Sequence, residues 1–383
     1  MKIAQVSTFF HPVTGGVETH ALELSRELSE QGHDVTVLTS DSAKQAPRIS
    51  EKRSRYLGVE VRRFRALVRL SPYHVFYPGL FFHLLRSDYD IVHVHGFRKL
   101  EVYVALLAKL LKRKKYKLVV TGHNPFPTTS RRARFDMLVS LHDRTLGRLF
   151  TRFCDHMIAL VRSEAKSYVQ RFGMSKDRVS VIPNGFAEEY LQPGSAERFY
   201  DDWQIEDGKW SAIVAGLGRI NQAKGFQYLK TAIEKQKKVL FVIAGGDDGY
   251  LSKLRFEIGG YRNVLLTERF LSTEKIRDMF AATDLFVFPS LHEAFGIVLL
   301  EALAAGVPVV STDRGGTAEF VRTDFGVLLP PGDEELWHDT IAALLADEKK
   351  LAQMGAAGRD YAGRFTWGKI SKKVAAVYTS LLQ

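Results

Sequence analysis

Leu285-Phe286-Val287-Phe288-Pro289-Ser290-Leu291-His292-Glu293-Ala294-Phe295-Gly296-Ile297-Val298-Leu299-Leu300-Glu301 decides the architecture. Leu285 to Phe288 read as a buried strand, and Pro289 discourages its continuation. A short loop carries Glu293, and a helix begins near Gly296 and runs to about Ala305. That helix is almost wholly apolar, so a lone Glu301 inside it is expected to be buried and to need a partner. A strand feeding a buried helix through a short loop is one half of a βαβ unit, whose strands lie parallel beneath covering helices.

The pattern repeats outward in both directions. Further strands read at 212–217, 240–244, 264–266 and 309–311, with helices at 227–235, 273–282 and 336–345. The first half has the same style. Strands read at 3–9, 34–39, 59–64, 91–95, 118–121, 156–160 and 179–182, with helices at 18–31, 102–111 and 134–152. Between the halves, 190–209 is polar, holds Pro193, Gly194 and Gly208, and reads as a linker. The expected fold is α/β with two Rossmann-like domains, 1–190 and 191–366. A last helix, 367–383, is expected to cross back to the first. Ligands of such sheets bind at the carboxyl ends of the strands, so a cleft between the domains is the expected site, closing over its ligand.

A chain of 383 residues exceeds one ordinary core, and 45% apolar with 25% charged residues fits a globular protein. The single Cys154 excludes an internal disulfide and points to a reducing, cytoplasmic setting. No stretch is long and apolar enough to span a bilayer. Residues 1–190 hold 31 Lys and Arg against 18 Asp and Glu, while the remainder holds 23 against 25. A basic first half suits nucleic acid, anionic lipid or phosphorylated small molecules.

Gly218-Arg219-Ile220-Asn221-Gln222-Ala223-Lys224-Gly225 lies between a strand and a helix. Arg219 supplies a planar fork of donors, Lys224 a compact ammonium, and the glycines let backbone come close to an anion. The N–H groups at the helix start near Gly296 offer a second anion site. With Glu293 and Glu301 spaced to hold hydroxyls of two rings, this arrangement resembles the retaining nucleotide-sugar glycosyltransferases of family 4, which have the GT-B fold. Other signatures in register are Thr14-Gly15-Gly16-Val17-Glu18, Asp90-Ile91-Val92-His93-Val94-His95, Val181-Ile182-Pro183-Asn184-Gly185 and Pro308-Val309-Val310-Ser311-Thr312. The resemblance spans essentially the whole chain.

It implies transfer of a hexose from a nucleoside-diphosphate sugar to an acceptor hydroxyl, with retention at the anomeric carbon, in glycan or glycolipid biosynthesis. Arg219 and Lys224 would neutralise the diphosphate and Glu301 would bind the ribose. Glu293 and the N–H groups of Phe295, Gly296 and Ile297 would hold the sugar. Gly15 and Gly16 would let the first loop approach the phosphate, and His123 would orient the sugar and stabilise positive charge. The family often continues that histidine segment as His-Asp or His-Thr, whereas here it runs His123-Asn124-Pro125-Phe126. The expected donor is a UDP- or GDP-sugar, its base to be read around Arg269, Phe270 and Leu271.

His93 and His95 share a strand face, but no third ligand stands at a sensible spacing, so no metal and no cofactor beyond the donor are expected. A GT-B epimerase or phosphorylase is the alternative. No nucleic-acid motif is present. Arg53, Arg55, Arg62, Arg63, Arg65 and Arg69 alternate with bulky apolar residues, followed by Tyr73, Phe76, Tyr77, Leu80, Phe81 and Phe82, with 112–117 nearby. This mixture suits an amphipathic surface on anionic lipid at the inner face of the membrane, and hence a lipid-linked or membrane-borne acceptor.

Overall fold

The computed structural model describes residues 1–43, 48–71, 74–112, 115–123, 133–206, 208–291 and 293–383, of which 70 and 133–136 are described by their backbone alone. The chain divides into two compact units: Met1–Gly185 with Trp367–Gln383, and Phe186–Thr366.

The first unit carries β1 (Lys2–Val6), β2 (Asp34–Ser40), β3 (Arg53–Tyr56), β4 (Val59–Phe64), a hairpin β5 (Val68–Ser71) and β6 (His74–Phe76), then β7 (Ile91–His95), β8 (Lys117–Thr121), β9 (His156–Ala159) and β10 (Val179–Val181). Apart from the hairpin they form one sheet, ordered β10-β9-β8-β7-β1-β2-β4-β3 and parallel except for β3. β7 is buried along its whole length, and β1 and β8 beyond their first residues, as a sheet covered on both faces requires. The helix Gly16–Glu30 covers one side, turning Ala21, Leu24 and Leu28 inward, and the last helix, Trp367–Leu382, packs on it.

The second unit carries β11 (Ala212–Leu217), β12 (Val239–Ala244), β13 (Val264–Leu266), β14 (Leu285–Phe288), β15 (Val309–Thr312) and β16 (Gly326–Leu329). They pair in parallel in the order β13-β12-β11-β14-β15-β16. The loops after β11 and β14 therefore leave adjacent strands at their carboxyl ends.

Two expectations change. The stretch read as a linker, 190–209, belongs to the second unit. It contains a helix, Ala196–Trp203, capped by Ser195 and anchored by Arg198, which makes two hydrogen bonds to the Asp278 carboxylate. Phe199 alone carries its buried face, too little to show an apolar period. The basic, aromatic stretch 53–82 is likewise no single amphipathic surface. It folds as β3 to β6 and the start of a helix, Gly79–Arg86, and buries Val59, Val61, Val75, Tyr77 and Leu80. Arg63 is buried as well, donating to the His11 carbonyl and the Ser54 hydroxyl. Tyr73, Arg113 and Lys114 lie outside the described residues.

Candidate functional site

In the second unit the chain leaves β11 at Leu217, passes Gly218 and Arg219, and closes a short 3-10 turn, Gln222–Lys224. Gly225 has φ +74°, and a Cβ there would run into the Pro289 carbonyl oxygen. Only glycine lets this loop sit so close to the one after β14. The two are laced further by the Leu291 N–H, which donates to the Ala223 carbonyl at 2.8 Å, and by the Ser290 hydroxyl, which donates to the same oxygen at 3.3 Å.

This lacing brings Lys224 against Glu293: Nζ donates to Oε2 at 2.5 Å, with both side chains about four-fifths buried (19% and 20% exposed). The ammonium also lies 4.8 Å from the centre of the Phe288 ring. Arg219 donates from Nη1 to Asp248 Oδ2 at 2.8 Å, and Asn221 Nδ2 reaches the same oxygen at 2.8 Å. Asp248, beyond β12, went unnoticed in the sequence because no periodicity or motif marks it. Each cation is thus held in place by a carboxylate before any ligand arrives.

Gly296, at φ +86°, opens the helix Ile297–Ala304. The Gly316 N–H donates to the Glu293 carbonyl at 2.8 Å, fixing the loop. The Phe295 ring is buried, stacked 4.9 Å from Phe320, so its backbone N–H is what remains to offer a ligand. The first N–H groups of a helix have no intrahelical partner, and that of Phe295, with those of Gly296 and Ile297, lies at the end of the helix that carries its positive partial charge. Glu301 is half-buried rather than buried, its helix leaving that face partly open. Tyr190 lies within reach of its charge. Burial first, then the Glu301 carboxylate, pushes the Tyr190 hydroxyl well above its usual range.

In the first unit, Gly15 is extended (φ 164°), and a Cβ on Gly16 would meet nothing of the protein, so the loop has open space before it. His123 stands at φ +56° just past β8. Its neighbour Gly122 leaves room for Tyr168 and Glu164, whose carboxylate accepts from the Leu160 N–H and the Tyr168 hydroxyl. Asn124, Pro125 and Phe126 lie outside the described residues, as does His292.

His123 is not alone. His20, from the helix Gly16–Glu30, and His95, at the end of β7, come with it: one ring nitrogen from each lies within 4.8 Å of the others. His93 is not part of this group, in keeping with the structural role expected of it. His93 spends both ring nitrogens, Nδ1 on the Tyr378 hydroxyl at 2.6 Å and Nε2 on the Thr121 hydroxyl at 2.8 Å. His95 finds its partners in space rather than along its strand. Burial lowers the His20 pKa to about 4, against a smaller opposing effect of its hydrogen bond to Asn184. Burial, then the neighbouring histidines, holds His93, His95 and His123 well below the usual imidazole value. All four are neutral at pH 7. The sequence signal for His20 was a polar residue on the inward stripe of Ala21, Leu24 and Leu28.

Residues 14–190 match the family described as Glycosyltransferase Family 4, and residues 201–361 the family described as Glycosyl transferases group 1. The chain is 27% identical to D-inositol 3-phosphate glycosyltransferase of Xylanimonas cellulosilytica, over 98% of this chain and 96% of that one. It is 26% identical to the phosphatidylinositol N-acetylglucosaminyltransferase gpi3 subunit of Schizosaccharomyces pombe, over 98% and 80% respectively. Among solved structures, Anabaena HepE in complex with UDP and glucose superposes with a TM-score of 0.78 at 20% identity, covering 99% of this chain and 100% of that one.

Proposed function

The chain belongs to glycosyltransferase family 4 and has the GT-B fold of two Rossmann-like domains, and on that premise we propose that it is a retaining hexosyltransferase using a nucleoside-diphosphate sugar. The observation that carries this is the Lys224–Glu293 pair. It stands with Arg219 and the helix start at Ile297 at the carboxyl ends of two adjacent strands. Departure of a nucleoside diphosphate develops negative charge, and preorganised cations and helix N–H groups lower that barrier without reorganising. In this reading Arg219 and Lys224 take the diphosphate charge, and the N–H groups of Phe295, Gly296 and Ile297 hold the transferred sugar beside it. Glu301 accepts from the ribose hydroxyls, and Glu293 from the sugar. His123 orients the sugar, Gly15 and Gly16 leave room beside the phosphate, and the acceptor attacks from the leaving-group face. Turnover needs no metal ion, since the leaving-group charge is met by side chains.

UDP-sugars are the first donors to try, HepE having been solved with UDP and glucose. Melting temperature with UDP-, GDP- and ADP-sugars is the test. One base should raise it in proportion to the logarithm of concentration, and no rise with any of the three would sink the reading. Product NMR then reports the anomeric configuration.

The acceptor we propose is anionic and lipid-borne. The names of the two relatives speak of inositol phosphate and phosphatidylinositol. The first unit holds 34 Lys and Arg against 16 Asp and Glu, a formal +18, where the second holds 20 against 27. It also exposes Met137, Leu138, Leu141, Leu146, Leu149 and Phe153 along 137–153, interspersed with exposed Arg144, Arg148 and Arg152. We take this stretch, rather than 53–82, as the candidate amphipathic face. A peripheral enzyme docks through such a face, and among the described residues no helix is long and apolar enough to cross a membrane. The protein should co-sediment with anionic vesicles at low salt, less so at high salt, and Leu149→Glu should weaken this. Absence of binding at low salt would overturn it.

A further inference from the structure

His20, His95 and His123 come from three separate elements and converge on one point in the first unit. The far nitrogens of two of them are fixed. His20 Nδ1 lies 2.7 Å from Asn184 Oδ1, and His95 Nε2 lies 2.8 Å from Gln5 Oε1. The Gln5 amide nitrogen is itself used, donating to the Tyr378 hydroxyl at 3.2 Å. A side-chain carbonyl only accepts, so both rings donate there and present a lone pair at the other nitrogen. His20 Nε2 is buried and has no hydrogen-bond partner among the described residues, an arrangement that costs about 1–3 kcal/mol unless something fills it.

We propose that His20, His95 and His123 form a binding site for a divalent transition-metal ion of the zinc class, open at its fourth position. The geometry is close to what such an ion needs. His95 Nδ1 and His123 Nε2 are 3.4 Å apart, a hydrogen bond that a metal ion bound between them would replace, and two nitrogens bound to tetrahedral zinc at about 2.05 Å sit roughly 3.3 Å apart. The widest separation in the set, 4.8 Å, needs a closing of roughly 1.5 Å to reach that value, within reach of side-chain rotation. The outer hydrogen bonds to Asn184 and Gln5 are the contacts that fix the tautomer and raise the basicity of ligating histidines. Burial keeps the three rings in the neutral form that binds metal. With imidazoles and no carboxylate, the set favours Zn2+, Cu2+ or Ni2+ over Mg2+ or Ca2+. His123 is the least buried of the three.

The consequence for activity rests on the transferase reading. His123 cannot both bind metal and orient a sugar, so an occupied site is a silenced one and Zn2+ acts as an inhibitor reversed by chelation. Binding itself rests only on the three rings.

The experiment uses chelator-stripped, full-length protein. Zn2+ is titrated against a chromophoric chelator, Co2+ serves as a spectroscopic probe of tetrahedral nitrogen coordination, and melting temperature is followed with each. The expected result is one equivalent bound, a tetrahedral Co2+ spectrum and a raised melting temperature. Binding should be weaker by about tenfold or more in His20→Gln and in His123→Asn. Asparagine tolerates the positive φ of position 123, so the second variant tests the site should the buried one fail to fold. No stoichiometric binding, or binding undiminished in both variants, overturns the site. Zn2+ binding without loss of transfer leaves the site standing and overturns its overlap with the sugar position. Transfer absent even from stripped protein counts against the transferase reading and leaves the binding result to decide the site.

Discussion

In the second unit the polar work is done on loops: Lys224 with Glu293, Arg219 with Asp248, above strands β11, β12 and β14 that are apolar throughout. In the first unit it runs through the sheet itself. Thr121, His93, Tyr378, Gln5, His95 and His123 make one continuous chain of hydrogen bonds across β8, β7, β1 and the last helix. Ten of the twelve histidines are in the first unit, and His292 and His338 alone are in the second. Two sheets of one architecture thus place ionisable groups at different depths. Charge on loops is available to a ligand and costs little when titrated. Polar groups inside a sheet are stable only while neutral and fully paired.

The largest effect that separates the units is expected from Lys224→Met. It removes one preorganised cation from the proposed leaving-group site, and loss of a single such donor costs about 100- to 1,000-fold in turnover. Steady-state kinetics measures this, with folding checked by circular dichroism because the change leaves the largely buried Glu293 carboxylate without its ammonium partner. Turnover within tenfold of the parent would mean the loop pair is structural.

Acid should act on the other unit. For a histidine whose folded pKa lies below its unfolded value, the unfolded chain binds more protons in the interval between them. Stability is therefore full above the unfolded value near 6.5 and falls as pH drops below it. The slope is about 1.4 kcal/mol per pH unit for each such group. His20, lowered to about 4, accounts for roughly 3 kcal/mol by the time that pH is reached. His93, His95 and His123 shift in the same direction. Hydrogen exchange between pH 7.5 and 5 should show β7 and β8 losing protection before β12 and β14. Equal loss in both sheets would remove the contrast.

The same contrast explains what was legible in the sequence. The second unit was readable because its site is local: Gly218 to Gly225 and Glu293 to Glu301 are contiguous motifs on loops after strands whose apolar runs announce themselves. Asp248 was missed because its role is to accept from Arg219 and Asn221 across a strand order the sequence does not state. In the first unit the partners of His95 lie far along the chain, in residues 20, 123 and 5, and no spacing rule links them. The hairpin β5–β6 and the short strand β16 were also unseen, being too brief to establish a period. Glu301, expected to be buried, sits where its helix leaves one face partly open, a matter of packing that composition does not report.

A smaller effect tests the depth of the first unit's network. Tyr378→Phe removes the hydroxyl that meets His93 Nδ1 at 2.6 Å and Gln5 Nε2 at 3.2 Å, without changing the ring. It leaves two buried polar groups short of a partner, so urea unfolding should show a loss of about 1–3 kcal/mol. An unchanged midpoint would mean the network tolerates gaps and does not specify the packing of the last helix.

The smallest expected effect completes the comparison. Exposed bulky apolar residues cluster in the first unit, whereas in the second Phe256 (91% exposed) and Phe270 stand separately among the described residues. Single exposed apolar side chains are ordinary on protein surfaces and bury too little area to matter, whereas a contiguous face among arginines can enter an interface. Phe256→Ser should therefore shift stability by less than about 0.5 kcal/mol and leave vesicle co-sedimentation unchanged. Leu149→Glu should leave stability equally intact, its side chain being already in solvent, and yet reduce co-sedimentation. If Phe256→Ser weakened vesicle binding as much as Leu149→Glu, membrane contact would belong to general greasiness rather than to the face along 137–153, and the division of labour between the units would fail at its last point.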